Sequence, residues 1–140
     1  MSNLSTIAKI IARKNPSVFT EAKQLCEPML KNPRFLPEIH KRIKEIYPDI
    51  DRTDESILFA AVAYQAYAPA TLIDKGIQRA PNGIRKVMCE VMSWNNATVC
   101  NNYNSIARAY IKGATYQDKV NAVLLGFEKF SIKSNQISLL

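Results

Sequence analysis

Glycine is scarce in this chain, with four residues in 140, and proline outnumbers it at seven. That ratio excludes a collagen-like or linker-rich protein and leaves no glycine-rich phosphate loop. Histidine is rarer still, since His40 stands alone. No HExxH, GxxxxGK[ST] or GxSxG pattern is present, so the common metalloprotease, phosphate-loop and serine-hydrolase signatures are missing. The three cysteines, Cys26, Cys89 and Cys100, are odd in number and form no CxxC pair. A small secreted domain usually carries an even, denser set, so reduced thiols and a cytoplasmic location are expected. No run approaches the roughly 18 apolar residues needed to span a bilayer. The longest apolar tract, 57 to 70, holds Tyr64, Gln65 and Tyr67 and meets Pro69, as suits a buried helix rather than a membrane span. Met1 to Asn15 does not read as a signal peptide, because Lys9 breaks its apolar run and Arg13 and Lys14 follow.

Acidic charge is also in short supply: 12 Asp and Glu against 19 Lys and Arg leave a net charge of +7. The excess favours an anionic partner, nucleic acid or an acidic protein surface. Hydrophobic residues make up 47% of the chain, enough for one ordinary core. Apolar residues recur with period 3.6 and hardly anywhere with period 2, which predicts an all-α fold of about seven short helices. The expected organisation is a single helical domain over 1–130 with a loose tail over 131–140.

The helices follow from their stripes and stops. Leu4, Ile7, Ala8 and Ile11 line a first helix stopped at Asn15-Pro16. Ser17 is placed to cap a second, lined by Phe19, Ala22, Leu25 and Cys26. Leu36, Ile39, Ile43 and Ile46 form the inner face of a third, with Lys41, Arg42 and Lys44 outside it. Asp51 to Asp54 open the long apolar helix, where acidic residues suit the positive end of the helix dipole. Thr71 and Asp74 repeat capping-box spacing, and Pro81-Asn82-Gly83 reads as a turn. Gly113 is positioned as a C-terminal cap of the helix before it. Thr115 and Asp118 then suit the start of a last helix burying Val120, Val123, Leu124, Phe127 and Phe130.

Residues 84 to 112 read as helix, tight turn and helix, a pattern that resembles the helix-turn-helix of DNA-binding regulators. Cys89 is the small residue facing the partner helix, Ser93 and Trp94 make the turn, Asn95 or Asn96 caps the second helix, and Val99 is apolar near its start. Ser93 stands where that motif has glycine, and Asn102 where it has a second apolar residue. At 100° per residue Val99, Tyr103, Ile106 and Tyr110 share one face, and Asn101, Asn104, Ser105, Arg108 and Lys112 lie opposite. The resemblance implies a small regulator or accessory factor that binds DNA. Asn101, Asn104, Ser105 and Arg108 would read bases, and Lys112, Arg85 and Lys86 would hold phosphates. A homodimer is the matching expectation, because one short recognition helix makes few contacts.

The competing reading is a basic helical adaptor or inhibitor that binds an acidic protein through Arg34, Lys41, Arg42 and Lys44. An asparagine-rich helix start also serves simply as caps and turns. Neither reading makes the chain an enzyme, and no metal or cofactor is expected. His40 has only Glu38, Glu45 and cations near it in sequence, the setting of a helix-surface histidine. The cysteines lack the spacing of a zinc site. Asp49, Asp51, Asp54 and Glu55 lack the glycine and ligand spacing of a calcium loop, and helix-end stabilisation accounts for them. The tyrosines at 64, 67, 103, 110 and 116 are interleaved with Ala, Ile and Val, which suits core packing with hydroxyls near the surface.

Overall fold

A computed structural model describes residues 2–25, 27–73 and 82–130. The fold is all-α, as the periodicity predicts. Among the described residues it contains α1 (Ser2–Lys14), α2 (Pro16–Leu25), α3 (Phe35–Ile46), α4 (Arg52–Tyr67), α5 (Ala70–Ile73), α6 (Asn82–Met92), α7 (Ala97–Tyr110) and α8 (Ala114–Leu124), followed by a 3₁₀ helix at Leu125–Phe130. None of these is long and apolar enough to cross a membrane. Cys26, Asp74, Pro81 and the expected tail 131–140 fall outside the described residues.

The long apolar tract becomes the central pillar. Asp51 caps α4, its side chain accepting from the Asp54 N–H at 2.8 Å. Every residue of α4 from Glu55 to Tyr64 is buried, and α3, α5, α6, α7 and α8 all pack around it. A helix enclosed on all sides has no polar face to show in its sequence. Ala60, Ala61, Ala63 and Ala66 keep its surface low, so neighbours approach closely, while Phe59 supplies the largest fully buried side chain. Burying such a ring contributes about 2 kcal/mol. The C-terminal end of α4 is closed by the chain before α3: the N–H groups of Met29 and Leu30 both donate to the Ala66 carbonyl, and the Tyr67 hydroxyl donates to that of Asn32 at 2.6 Å.

α6 ends in a tight turn despite having serine where glycine was expected. Ser93 takes φ +57°, the left-handed conformation, and the Trp94 N–H reaches back to the Cys89 carbonyl at 2.9 Å. The Ser93 N–H points to the Glu90 carbonyl at 3.4 Å, completing a Schellman closure. Trp94 is thereby pressed onto the core, stacked on Tyr103 at 4.9 Å and edge-on to Phe59 at 6.1 Å. Asn96 then caps α7, accepting from the N–H groups of Thr98 and Val99.

Several local expectations are corrected. Gly113 has φ −84° and is the first cap of α8 rather than a left-handed end to α7, which closes at Ile111. Thr115 and Asp118 consequently sit inside α8. Asn82 and Gly83 are helical and begin α6 instead of forming a turn. α2 starts at Pro16, whose missing N–H costs nothing in a first turn, so Ser17 lies within the helix. Phe130 is 39% exposed because the chain tightens into the 3₁₀ helix after α8. α1 and α2 pack chiefly on each other, which leaves Ile7, Ile10 and Val18 about half exposed.

Candidate functional site

The expected recognition helix is turned about one residue from its sequence stripe. The buried residues of α7 are Cys100, Asn104 and Ala107, while Ile106 and Tyr110 are exposed. The cause is steric. α7 lies most closely against α4, and the small Cys100 and Ala107 permit an approach that Ile106 or Tyr110 would block.

This rotation commits two of the residues expected to read bases to the interior. Asn104 is buried, and its Nδ2 donates to Thr71 Oγ1 at 3.1 Å. Its Oδ1 accepts from Arg108 Nη2 at 2.6 Å. Arg108 Nε also donates to the Thr71 carbonyl, at 3.0 Å, so the pair ties α7 to α5. Asn101 is half-buried and accepts from Arg85 Nη1 at 3.5 Å. Ser105, Lys86 and Lys112 are exposed. The seven residues therefore do not form one face. Arg85 and Lys86 flank a shallow groove between α6 and the start of α7, Asn104 and Arg108 turn inward, and Ser105 and Lys112 lie apart on the outer side of α7.

The cysteines of this unit are structural in their surroundings. Cys100 is buried, with its Sγ 3.1 Å from the Tyr64 hydroxyl, and burial pushes its thiol up to about 11. Burial also raises the Cys89 thiol, and it raises the Tyr64 hydroxyl well above its ordinary range. All three stay protonated at neutral pH. Among the described residues no three His, Cys, Asp or Glu side chains gather as metal ligands would.

A polar cluster that local spacing did not reveal joins α3 to α4. Glu55 is 6% exposed, and its carboxylate meets His40 Nε2 at 3.3 Å, Lys44 Nζ at 3.1 Å and Arg52 Nη1 at 3.0 Å. Burial alone would raise its pKa, but hydrogen bonds from Lys44, His40 and Arg52 hold it below the ordinary value. Arg52 also donates to the Met92 carbonyl at the end of α6, where a cation suits the helix dipole. The partner of His40 is thus Glu55, one of the acids assigned from sequence to helix-end stabilisation. Nothing in either segment alone signals the pairing, because it depends on how two helices cross.

The outer side of α3 carries a different surface. Phe35 stacks on Phe130 at 4.7 Å, with the Arg34 guanidinium over Phe35 at 5.2 Å and the Lys129 ammonium over Phe130 at 5.1 Å. Beside this stack runs a groove of about 460 Å³ between α3 and the 3₁₀ helix. Lys41, Arg42 and Lys129 line it together with Glu38 and Glu45. Arg42 Nε is buried there with no hydrogen-bond acceptor among the described residues. Of the cations expected on this segment, Lys44 is engaged by Glu55, while Arg34, Lys41 and Arg42 remain on the groove side or its rim. The contribution of Phe130 and Lys129 was out of sequence reach, since the 3₁₀ helix lies about ninety residues further on. No protein-family model, curated protein or solved structure matches the chain.

Proposed function

We propose that the protein is a non-enzymatic helical adaptor or inhibitor that binds an acidic protein segment along the groove between α3 and the 3₁₀ helix. The observation that carries this reading is the buried Arg42 Nε, a donor with no acceptor, inside an aromatic groove whose three cations stand against Glu38 and Glu45. A buried guanidinium N–H left without an acceptor costs about 1–3 kcal/mol, and a partner carboxylate would recover it. The Phe35–Phe130 stack supplies the rigid aromatic area typical of interface centres, and Arg34, Lys41, Arg42 and Lys129 outnumber Glu38 and Glu45, a balance that favours an acidic partner. The reading of α7 as a base reader has less support, because Asn104 and Arg108 spend their hydrogen bonds within the protein.

Fluorescence anisotropy with a labelled acidic peptide containing Glu and Phe, run beside a labelled DNA duplex, tests the proposal. The expected result is peptide binding that weakens about tenfold in Arg42→Gln and in Lys41→Ala and is unchanged in Arg108→Ala. The contrary result is no peptide binding, with duplex binding that falls about a thousandfold between about 50 and 200 mM salt and weakens in Arg85→Ala and Lys86→Ala. That outcome would return the function to DNA.

A further inference from the structure

On the side of the molecule formed by the α3–α4 loop, the end of α7 and the start of α8, a cavity of about 500 Å³ opens between three tyrosines. Tyr47, Tyr110 and Tyr116 line it, with Asp49 and Asp54 at its wall and Lys119 reaching in. The volume falls in the range of small-molecule sites. The Lys119 ammonium lies 6.0 Å from the centre of the Tyr47 ring and 5.9 Å from that of Tyr116. An ammonium placed between two ring faces shows what charge this space favours, because aromatic faces carry negative potential. Tyr110 packs against Tyr116 at 5.1 Å and is 48% exposed, so it stands as a third, outer wall.

The polar groups agree. Asp49 and Asp54 are exposed, and neither carboxylate has an ion-pair partner among the described residues. The Tyr116 hydroxyl is buried without a hydrogen-bond partner. Burial first, then Asp54 and Tyr110, raises its pKa, so the ring presents a neutral phenol rather than a phenolate. Two carboxylates and three aromatic rings thus line one cavity with a single lysine, whose ammonium lies over the Tyr47 and Tyr116 rings and which comes from an exposed position on α8.

We infer that this cavity is a binding site for a small-molecule cation bearing a quaternary or methylated ammonium, with Tyr47, Tyr110 and Tyr116 as the cage and Asp49 and Asp54 as the counter-charges. Lys119 is an exposed side chain whose ammonium lies over two of the rings and which the ligand displaces. A methylated ammonium is the better guest because it sheds water more readily than a primary ammonium while keeping its charge over the rings. The site is separate from the groove proposed above: the two share no lining residue, so either stands if the other fails.

The test is an NMR amide titration of the whole protein with choline and with its neutral isostere 3,3-dimethylbutan-1-ol. Inorganic phosphate and phosphatidylcholine vesicles serve as further probes. Choline is expected to shift amides in 47–50 and 110–119 with affinity about tenfold above the isostere. Lys119→Ala, a surface change, removes the resident cation and is expected to tighten choline binding about tenfold, while Tyr110→Ala weakens it by a similar factor. Phosphate and vesicles are expected to leave those amides unmoved. Equal binding of choline and the isostere would overturn the proposal. So would the absence of choline shifts in Lys119→Ala up to about 50 mM, where even a millimolar complex is saturated. Phosphate shifts that vanish in Lys119→Ala would reassign the cavity to an anion, and shifts with vesicles alone would reassign it to a membrane surface.

Discussion

α3 and α7 look alike in sequence: each has an apolar stripe and an opposing face of cations and polar groups. In the structure the two faces have opposite fates. α3 keeps Lys41 outward, with Arg34 exposed just before its first residue, and uses its other side, His40 and Lys44, to hold Glu55 of α4. α7 turns Asn104 and Arg108 inward and leaves Ile106 and Tyr110 in water. The difference lies in the arc each helix buries, not in how many neighbours it has: α3 packs on α4, α6 and α8, and α7 on α4, α5 and α6. The buried residues of α3, Leu36, Ile39 and Ile43, are its apolar stripe, whereas those of α7, Cys100, Asn104 and Ala107, are turned away from its stripe. Polar groups caught in a turned arc must find partners. Amphipathicity therefore identifies an outward face only where the apolar stripe is also the arc of closest packing.

The sharpest way to break this contrast is at the two adjacent residues that disagree about which way α7 faces. Ala107 is fully buried and Ile106 is 38% exposed. Ala107→Leu is expected to destabilise by about 3 kcal/mol through overpacking against α4, and Ile106→Ala by about 1 kcal/mol or less, both measured by urea unfolding. If the sequence stripe were the buried one, the order would reverse.

Next in size is the inner side of α3. Glu55→Gln is expected to cost about 2 kcal/mol at neutral pH, since it strips a buried carboxylate from Lys44 and Arg52 and from its contact with His40. The Glu55 pKa is lowered in the fold, so its stabilisation is present above the ordinary carboxylate value and is lost as the pH falls through the lowered one. The gap between wild type and variant should accordingly narrow below about pH 4.5, and a gap independent of pH would contradict the assignment.

A smaller effect of opposite sign is expected at the turn that aims α7. Ser93→Gly relieves a left-handed serine at φ +57° and should raise stability by about 1 kcal/mol. A loss of stability would mean that the Schellman closure is not formed. Smallest of all, Lys41→Ala on the outward face of α3 should change stability by less than about 0.5 kcal/mol, even though it weakens peptide binding.

Much of the fold is legible in local sequence, because helix formation and burial of a uniformly apolar segment are local matters. Asp51 announces α4, and Leu36, Ile39 and Ile43 are buried as their spacing requires. The failures share a cause. The rotation of α7 depends on its close packing against α4 through Cys100 and Ala107, the left-handed Ser93 on the closure around Trp94, and the start of α8 at Gly113 on the close of α7 at Ile111. The binding surfaces were half legible. The cations of α3 stand out as a charge run beside Phe35, but Phe130, which stacks on Phe35 to make a surface, comes from the 3₁₀ helix far along the chain, and the tyrosine cage draws on α7, α8 and the loop after α3. The tyrosines were expected to pack in the core, which holds for Tyr64 and Tyr67 and not for Tyr110.

The claim on which the contrast rests is that Asn104 and Arg108 hold α7 to α5 rather than face a partner. A double-mutant cycle of Asn104→Ala and Arg108→Ala in urea unfolding measures it directly. The structure predicts a coupling of about 1 kcal/mol or more, from the charge-assisted bond between them and the Thr71 contacts they share. A coupling below about 0.3 kcal/mol, with both single variants as stable as wild type, would mean that the two side chains point to solvent and that the polar face of α7 is open to a ligand after all.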